Sequence, residues 1–502
     1  MKIKNNIFNI LAVIAFAGFS YSCSDDFFTE PAGNRITPDE HYQSQKDLFI
    51  SIYGACVPLQ NASPKLLLVD GLRSDLLDLT SSSDAFMTEI NDQDFSVGNP
   101  YLDLADYYKT IVNINEILKN VDKVWEKDPT TIEYAPKFVN GALITIRAWC
   151  YFTLVKIYGK AALINDNMAS LPDGQTFLSK QVMIDTLINQ LTPYVFTSTV
   201  YDELVLPGPN TKALLGELYL EKNQYDSAAY YLKLGIESYG NSRAFKVGNE
   251  YVKEKWELIF YDEFVFDGKG SENLMCIPYD SHREQLNEFT GWTLNYRVKP
   301  TALLVNTYNN QPNGDKTLGD IYRGKGFTFD TLPGVTDQYY VSKYNLEKGD
   351  PYSTYIILSR AADLHLLLSE ALNRTGDTAT AMLLLNRGIA SAKATERPAG
   401  YEKWSTNKGI RGRVNLNPVS VPSEVDKNNL AAVQTAIEDL IIQERALELA
   451  FEGKRWFDLI RIAERRNDPS YLANKVAAKF SDPAKAEMIR NKLMDPNNWY
   501  LK

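Results

Sequence analysis

Apolar residues recur at steps of three and four along most of this chain, and this helical periodicity limits the folds that it can adopt. In residues 103–125 the spacing predicts an amphipathic helix. Pro136 opens a second periodic run that ends at Gly159, where a helix is expected to stop. Two helices joined by a short connection pack most simply as a helical hairpin.

The same pattern returns along the chain, so that the sequence reads as a series of helical pairs. We expect these pairs at about residues 100–160, 180–240, 355–393 and 430–466. The second pair has small and aromatic residues, such as Gly216, where tetratricopeptide repeats place them. One pair cannot bury its apolar face alone, whereas stacked pairs can. The predicted fold is therefore mainly α, a tetratricopeptide-like superhelix of helical pairs.

Two loop-rich inserts interrupt the helical pattern and predict an irregular ligand-binding face. They cover about residues 245–355 and 398–424, where Gly, Pro, Asn and Tyr replace long periodic runs. Loops on a rigid scaffold are where binding residues concentrate. The chain is 12% aromatic, with 30 Tyr and 7 Trp, and such residues suit surfaces that stack on sugar rings or peptide groups.

The first residues have the features of a lipoprotein signal. A basic start and a short apolar run, residues 7–19, lead through Ser22 to Cys23. This pattern predicts a signal peptide over residues 1–22, lipidation of Cys23 and attachment to a membrane through the acyl chains. An ordinary secretory signal that happens to precede a cysteine is the alternative.

Charge, cysteine spacing and missing motifs exclude several classes of function. The net charge of −10 argues against nucleic acid as a partner. Cys56, Cys150 and Cys276 are odd in number and lack metal-like spacing, so that neither a disulfide framework nor a metal site is predicted. The sequence contains neither HExxH nor GxSxG. In GDIYRGKG, Gly326 stands where a phosphate loop needs Ser or Thr, so that we expect a simple turn.

Charged residues share a helix face with apolar residues in QERALELAFEGKRWFDLIRI, residues 443–462. At 100° per residue, acids and a base fall within the apolar stripe. A buried carboxylate must be paired, or else it stays protonated. We therefore predict an ion-pair clamp that locks the terminal helices to the rest of the fold. Its members are Glu444, Arg445, Glu448, Arg455 and Asp458.

A glycoside hydrolase is a remote alternative for the same segment. Glu444 and Glu448 lie one helical turn apart, and retaining glycosidases hold two carboxyl groups about 5–5.5 Å apart. Neighbouring arginines would keep both acids ionised, whereas a general acid needs a raised pKa. No catalytic residue, metal or cofactor is therefore predicted.

Several segments of the chain resemble the SusD/RagB family of outer-membrane nutrient-binding lipoproteins. ERALELAFEGKRWFDLIR is similar to the C-terminal signature of that family, and GALITIRAWCYFTLVKIYGKAALI to its helix before a Tyr-Gly turn. YYKTIVNINEIL, SRAADLHLLLSEALNRTGD, YRVKPTALLVNTYN and GIRGRV resemble further family segments. The resemblance covers nearly all of residues 23–502, which we expect to form a single SusD-like domain.

The resemblance implies a cell-surface lipoprotein, anchored in the outer membrane, that covers a SusC-like TonB-dependent transporter. Such a protein binds a glycan and delivers it to the transporter, without catalysis. The implied fold has four tetratricopeptide-like helical pairs and an irregular face that holds the ligand. A peptide ligand is the alternative within the same uptake system, and a scaffold lipoprotein without a small ligand is a further one.

Two loop regions are predicted to hold the ligand, Asp70–Tyr101 and Phe289–Tyr322. Trp292 follows Gly291 in a polar stretch, so that we expect an exposed indole that stacks on a pyranose ring. Loop packing or a transporter contact is the alternative for each residue. The predicted ligand residues are Arg73, Asp75, Asp78, Phe86, Tyr101, Trp292, Tyr296 and Tyr322.

Overall fold

The computed structural model describes residues 37–103, 105–129, 136–165, 176–195, 210–238, 272–332, 334–335, 338–345, 350–393, 395 and 397–501. Helices dominate these residues, and the prediction of a mainly α fold is confirmed. The predicted signal peptide, the lipidation site Cys23 and residues 239–271 of the first insert lie outside the described residues.

The helices, in chain order, run over nearly the whole described chain. They are α1 (Pro38–His41), α2 (Gln45–Cys56), α3 (Pro58–Arg73), α4 (Ala85–Asn91), α5 (Asp106–Leu118), α6 (Val121–Lys127), α7 (Pro136–Tyr158), α8 (Lys180–Leu191), α9 (Thr211–Glu221), α10 (Tyr225–Ser238), α11 (Glu288–Leu294), α12 (Ala302–Asn309), α13 (Ala361–Thr375), α14 (Thr378–Leu385), α15 (Ile410–Arg413), α16 (Leu430–Glu448), α17 (Arg455–Arg466), α18 (Pro469–Ala477) and α19 (Pro483–Leu493).

The strands are short, and those in the described residues pair two by two in antiparallel sheets. The pairs are β1 (Leu77–Leu79) with β5 (Val298–Pro300), β2 (Lys160–Ala162) with β3 (Phe177–Ser179), β4 (Asn273–Ile277) with β8 (Ile356–Arg360), and β6 (Phe329–Thr331) with β7 (Tyr339–Val341). Three of these sheets draw strands from the first loop-rich insert and fix its course on the helical scaffold.

Helical pairs stack along the scaffold as neighbours. Helix α5 packs against α7, α9 against α10, and α13 against α14, while α10 contacts α13 and α13 contacts α16. Small residues allow the close approach within a pair. At Gly216 of α9 a Cβ atom would come within 2.5 Å of Cγ of Leu232 on α10, so that no larger residue fits without a shift.

The helices of the predicted fourth pair, α16 and α17, also contact other parts of the chain. Helix α17 follows α16 but also packs against α3 and α18, and α18 pairs with α19. Helix α3 was not among the predicted pairs because its sequence lacks an amphipathic stripe. Twelve of its 16 residues are buried, on all sides of the helix. The N-terminal and C-terminal parts of the chain therefore share one core.

Helix α7 is the one described helix that is long and apolar enough to cross a membrane, by length and composition alone. Within the fold, 72% of its most apolar window is buried. Its buried side chains include Cys150, and the thiols of Cys56 and Cys276 are likewise buried. The apolar character of α7 is thus used in packing.

Helix α17 begins against a carboxylate from another helix. Oδ1 of Asp70 in α3 accepts a hydrogen bond of 2.7 Å from the backbone N of Trp456, in the first turn of α17. A carboxylate at this position satisfies a free N–H group and favours the positive end of the helix dipole. Burial raises the pKa of Asp70 to about 7, against the lowering effect of the backbone N–H groups.

The predicted clamp residues are all buried, each at most 3% exposed. Glu448 lies at the centre of one cluster, where Arg323 and Arg360 each approach its carboxylate at 2.7 Å and Arg413 also bonds to it. Burial alone would raise the pKa of Glu448, but the three guanidinium groups together hold that pKa well below its usual value. The carboxylate is therefore charged and fully paired.

Glu444 and Asp458 bind arginines in the same way. Glu444 contacts Arg411 at 2.5 Å and Arg323 at 2.8 Å. Asp458 contacts Arg445 at 2.7 Å and Arg461 at 2.8 Å. Most arginines of the clamp thus approach from segments far away in the sequence, including both loop-rich inserts.

Arg455 connects the C-terminal helices with the N-terminal part of the chain. Its Nε and Nη2 donate to the two carboxylate oxygens of Asp75, each at 2.7 Å. This bidentate geometry is the strongest arrangement of a guanidinium and a carboxylate. A further Arg455 nitrogen donates to the carbonyl oxygen of Ile442, so that the guanidinium also contacts α16.

Removing one member of the clamp should destabilise the fold strongly. We expect Glu448→Ala and Arg455→Ala each to lower the free energy of unfolding by about 3–5 kcal/mol, because the partners left behind are buried charges. Urea unfolding followed by circular dichroism measures this loss. Glu487→Ala, which breaks an exposed pair with Arg490, is the control and should cost about 1 kcal/mol or less. Losses below about 1 kcal/mol for both buried variants would contradict the clamp.

Candidate functional site

The two loop regions predicted to hold a ligand meet in one structural unit. Strand β1 pairs with β5, so that Asp78 lies opposite Lys299 and Leu79 opposite Val298. Next to this ladder, Ser83 Oγ donates a hydrogen bond of 2.6 Å to the carbonyl oxygen of Arg297. We name the outer side of this unit, formed by residues 78–86 and 294–299, the junction surface.

Asp84 holds three parts of the junction together. Its Oδ1 accepts a hydrogen bond of 2.8 Å from the backbone N of Met87 and caps α4. Its Oδ2 accepts a bond of 2.6 Å from the Tyr101 hydroxyl and also binds Arg297. Burial, together with the Asp84 carboxylate, raises the pKa of Tyr101 to about 12. The hydroxyl therefore stays protonated and donates to Asp84.

The predicted exposed indole of Trp292 is wrong. Only 8% of Trp292 is exposed, and its ring packs edge-on against Tyr101 at 5.2 Å between ring centroids. The stretch around Gly291 is not a loop but the helix α11, which turns this side chain toward the core. Trp292 thus supports the junction from inside.

Arg73 and Asp75 are also internal, and their prediction as ligand contacts is corrected here. Arg73 donates to Gln93 Oε1 at 2.9 Å and to the carbonyl oxygens of Asn498 and Trp499 at 2.8 and 3.0 Å. Burial lowers the pKa of Arg73 to about 9. Burial alone would raise the pKa of Asp75, but Arg455 lowers it below the usual value. Both side chains are used to connect distant parts of the chain.

Phe86, Asp78 and Tyr296 lie on the junction surface. Phe86 is 39% exposed, and Asp78 and Tyr296 are half-buried. Partial burial raises the pKa of Tyr296. Tyr322 does not belong to this unit: it is half-buried in the turn that carries Arg323 into the clamp.

Asp84, Arg297 and Lys299 were not among the predicted site residues. Asp84 precedes α4 with the sequence signature of a helix cap, which could have marked it as a structural position. Nothing in the sequence pairs it with Arg297, because that contact depends on the β1–β5 ladder. Arg411 and Arg413 were noted in the sequence only as part of the family-like segment GIRGRV, and not as partners of the clamp acids.

A groove of about 430 Å³ lies beside the junction unit, between residues 93–103 and the C-terminal end of the described chain. Its walls include Phe95, Tyr158 and Tyr500. Nearby, Lys485 pairs with Asp92 at 2.7 Å, and Lys492 approaches Asp94 at 3.5 Å. These acids are thus neutralised by lysines, and the described residues contain no group of His, Cys, Asp and Glu that could hold a metal ion.

A second cavity of about 430 Å³ has charged walls. Lys180 reaches into it and contacts Glu464 at 2.6 Å and Glu221 at 3.3 Å. Arg461 and Arg465 also line it, and both bind carboxylates of the clamp region. The charged side chains of this cavity therefore bind one another. The junction surface remains the stronger candidate for a ligand site.

Lys479 supports β1 from the buried side. Its ammonium group donates to the carbonyl oxygens of Leu72 and Leu77, the latter at 3.2 Å. Burial lowers the pKa of Lys479 to about 7, although Asp78, Asp75 and Asp92 act in the opposite direction. This lysine ties the end of α3 to the strand that carries Asp78.

Known proteins with similar sequences and folds form a consistent group. A family model described as the SusD family matches residues 261–501. The SusD-like protein P38 of Formosa agariphila is 23% identical over 92% of each chain. The SusD-like protein P2 of the same organism is 21% identical and covers 95% of this chain and 96% of its own.

Solved structures with a similar fold include proteins from Bacteroides. A SusD superfamily protein from Bacteroides vulgatus has a TM-score of 0.66 at 17% identity, and the match covers 90% of this chain and 93% of that one. A SusD-like carbohydrate binding protein from the same species has a TM-score of 0.61 at 16% identity, with coverage of 84% and 83%. These likenesses concern the fold.

Substitution of the buried indole should affect stability rather than surface properties. We expect Trp292→Ala to lower the free energy of unfolding by about 3–5 kcal/mol, because it leaves a cavity beside Tyr101. Phe86→Ala, on the junction surface, should cost less than about 1 kcal/mol. Urea unfolding of both variants checks this contrast. Equal stability of the two variants would place the Trp292 ring outside the core.

Stability should also depend on pH through Lys479. Its pKa in the folded state lies below the usual value, so that the unfolded chain holds more protons between about pH 7 and 10, and stability rises with pH in that window. We expect Lys479→Met to remove a slope approaching about 1.4 kcal/mol per pH unit. Urea unfolding at pH 7, 8 and 9 measures it. Parallel curves for the two proteins would contradict a depressed pKa.

Proposed function

The chain belongs to the SusD/RagB family, and from this premise we propose that it binds a glycan at the junction surface. In this proposal the protein is attached to the outer membrane through Cys23, faces the cell exterior and delivers the glycan to a SusC-like TonB-dependent transporter. It acts without catalysis and without a cofactor. The SusD-like carbohydrate binding proteins among its structural neighbours support a glycan as the ligand.

The backbone conformation of Tyr296 carries the proposal. Its φ of +51° lies in the left-handed region, where glycine is free of strain and a tyrosine costs on the order of 1 kcal/mol. Strained conformations of this kind concentrate at binding sites. Tyr296 precedes Arg297, which binds Asp84, and Phe86 follows Asp84 by two residues, so that both aromatic residues belong to the same surface. In this proposal, the rings of Phe86 and Tyr296 stack on the apolar faces of sugar units.

Peptide binding is the second candidate, because aromatic rings also pack on peptide groups. The SusD-like carbohydrate binding proteins among the structural neighbours favour a glycan. A hydrolase is not proposed. Glu444 and Glu448 are bonded to buried arginines and are 2% and 3% exposed, so that neither carboxylate can meet a substrate.

Affinity should fall when either surface ring is removed. We expect Phe86→Ala and Tyr296→Gly each to weaken binding of the recognised glycan about tenfold, or about 1.4 kcal/mol. Calorimetry of the full chain in detergent, against a panel of polysaccharides, oligosaccharides and peptides, measures this. Tyr296→Gly should at the same time leave stability unchanged or raise it by up to about 1 kcal/mol, because the strain is relieved.

Two control variants separate ring loss from other effects. Tyr296→Phe keeps the ring and should bind like the parent protein. Phe177→Ala removes a ring that is 52% exposed on another strand, β3, and should not change affinity. Unchanged affinity in both junction variants would refute a glycan site at this surface, and binding of peptides alone would favour the second candidate.

A further inference from the structure

We infer that the junction surface selects uncharged glycans and rejects polymers that carry uronate or sulfate groups. This inference rests on the proposed function and names the class of ligand for the same site. It is drawn from the ion pair of Asp84 with Arg297, from the opposed charges of Asp78 and Lys299, and from the exposed uncharged polar groups of the same surface.

The first charge pair is Asp84 with Arg297. The carboxylate binds the guanidinium directly and also accepts the hydrogen bond of the Tyr101 hydroxyl. The two side chains are 32% and 29% exposed, so that they reach the surface together and as an ion pair. An anionic ligand would have to compete with Asp84 for Arg297.

The second set of opposite charges is Asp78 and Lys299, which are register partners. They are directly opposite each other in the β1–β5 ladder, and opposite charges in this position attract each other across the strands. Lys479 lies on the buried side of β1, where backbone carbonyls take its hydrogen bonds. The junction surface therefore presents two acids and two bases without an excess of either sign.

The free polar groups of the surface are uncharged. Ser81, Ser82 and Asn295 are exposed on the junction surface and offer hydroxyl and amide groups. Hydroxyl and amide groups exchange hydrogen bonds with sugar hydroxyls, which also act as donors and acceptors. A carboxylate or sulfate placed there would lose water, and at each base of the surface it would meet an acid of its own charge sign.

The charge of the whole chain acts in the same direction. The net charge of −10 repels polyanions at distances within the screening length of the solution. A site that captures acidic glycans needs a local excess of Lys or Arg to overcome this repulsion. Nothing of that kind is built into the junction surface.

Affinity electrophoresis of the full chain in detergent tests the inference. The neutral probes are soluble starch, laminarin, galactomannan and arabinoxylan, and the acidic probes are alginate, polygalacturonate and chondroitin sulfate. We expect retardation by at least one neutral polymer and by no acidic one. Binding to the neutral polymer should change less than twofold when the salt concentration is raised tenfold, since no ion pair forms with the ligand.

Two variants that uncover a base should change this preference. Asp84→Asn frees Arg297. Asp78→Asn removes the negative charge opposite Lys299, while its amide oxygen can still accept the bond that Leu79 N makes to Asp78. We expect each to gain salt-sensitive retardation by polygalacturonate, at least threefold above the parent protein. Glu487→Gln frees Arg490 on α19, far along the chain, and is the matched control that should show no gain. Asp78→Asn keeps the test decisive if Asp84→Asn fails to fold.

The possible results are distinguishable. Retardation of the parent protein by acidic polymers alone overturns this inference but leaves the proposed glycan binding in place. Folded Asp78→Asn without any gain on polygalacturonate overturns it as well, since the paired charges would then have no role in selection. No retardation by any polymer overturns the proposed function and the inference together.

Discussion

The buried carboxylate of Glu448 is the contact on which the rest of this structure depends. Three arginines, Arg323, Arg360 and Arg413, come from three separate parts of the chain and meet at its two oxygens. None of them can be buried without a counter-charge, because an unpaired guanidinium in the core is too costly. The loop-rich inserts are therefore fixed in position by charge as well as by the apolar side chains that they contribute to the core, such as Phe329 and Leu416.

The same network reaches the junction surface through the N-terminal part of the chain. Asp70 caps α17, and Asp75 forms the bidentate pair with Arg455 of that helix. Strand β1 begins two residues after Asp75 and carries Asp78 to the junction surface. The position of β1 is thus set by helices at the other end of the sequence, and β1 in turn sets the position of β5 with Tyr296 and Arg297 close by.

The sequence allowed several scaffold helices to be predicted from a one-sided apolar stripe, as in α5 or α10. It did not reveal α3, since burial on all sides removes the periodic signal. The acids of the clamp could be predicted because they interrupt an apolar stripe, where a buried charge requires a partner. Their partners Arg411 and Arg323 could not be assigned, since loop residues reach the clamp only through tertiary contacts. Trp292 was misplaced because a helix of seven residues is too short to show a period.

Charge has two different uses in this molecule, and burial decides between them. In the clamp, water is excluded, so that each acid requires bases at hydrogen-bond distance and the pairs fix the fold. At the junction surface the Asp84–Arg297 pair is about one-third exposed, and water screens it. Such a pair contributes little to stability. Its carboxylate nevertheless competes with an anionic ligand for the guanidinium group. Pairing that secures the structure in the core thus becomes, at the surface, a means of choosing the ligand.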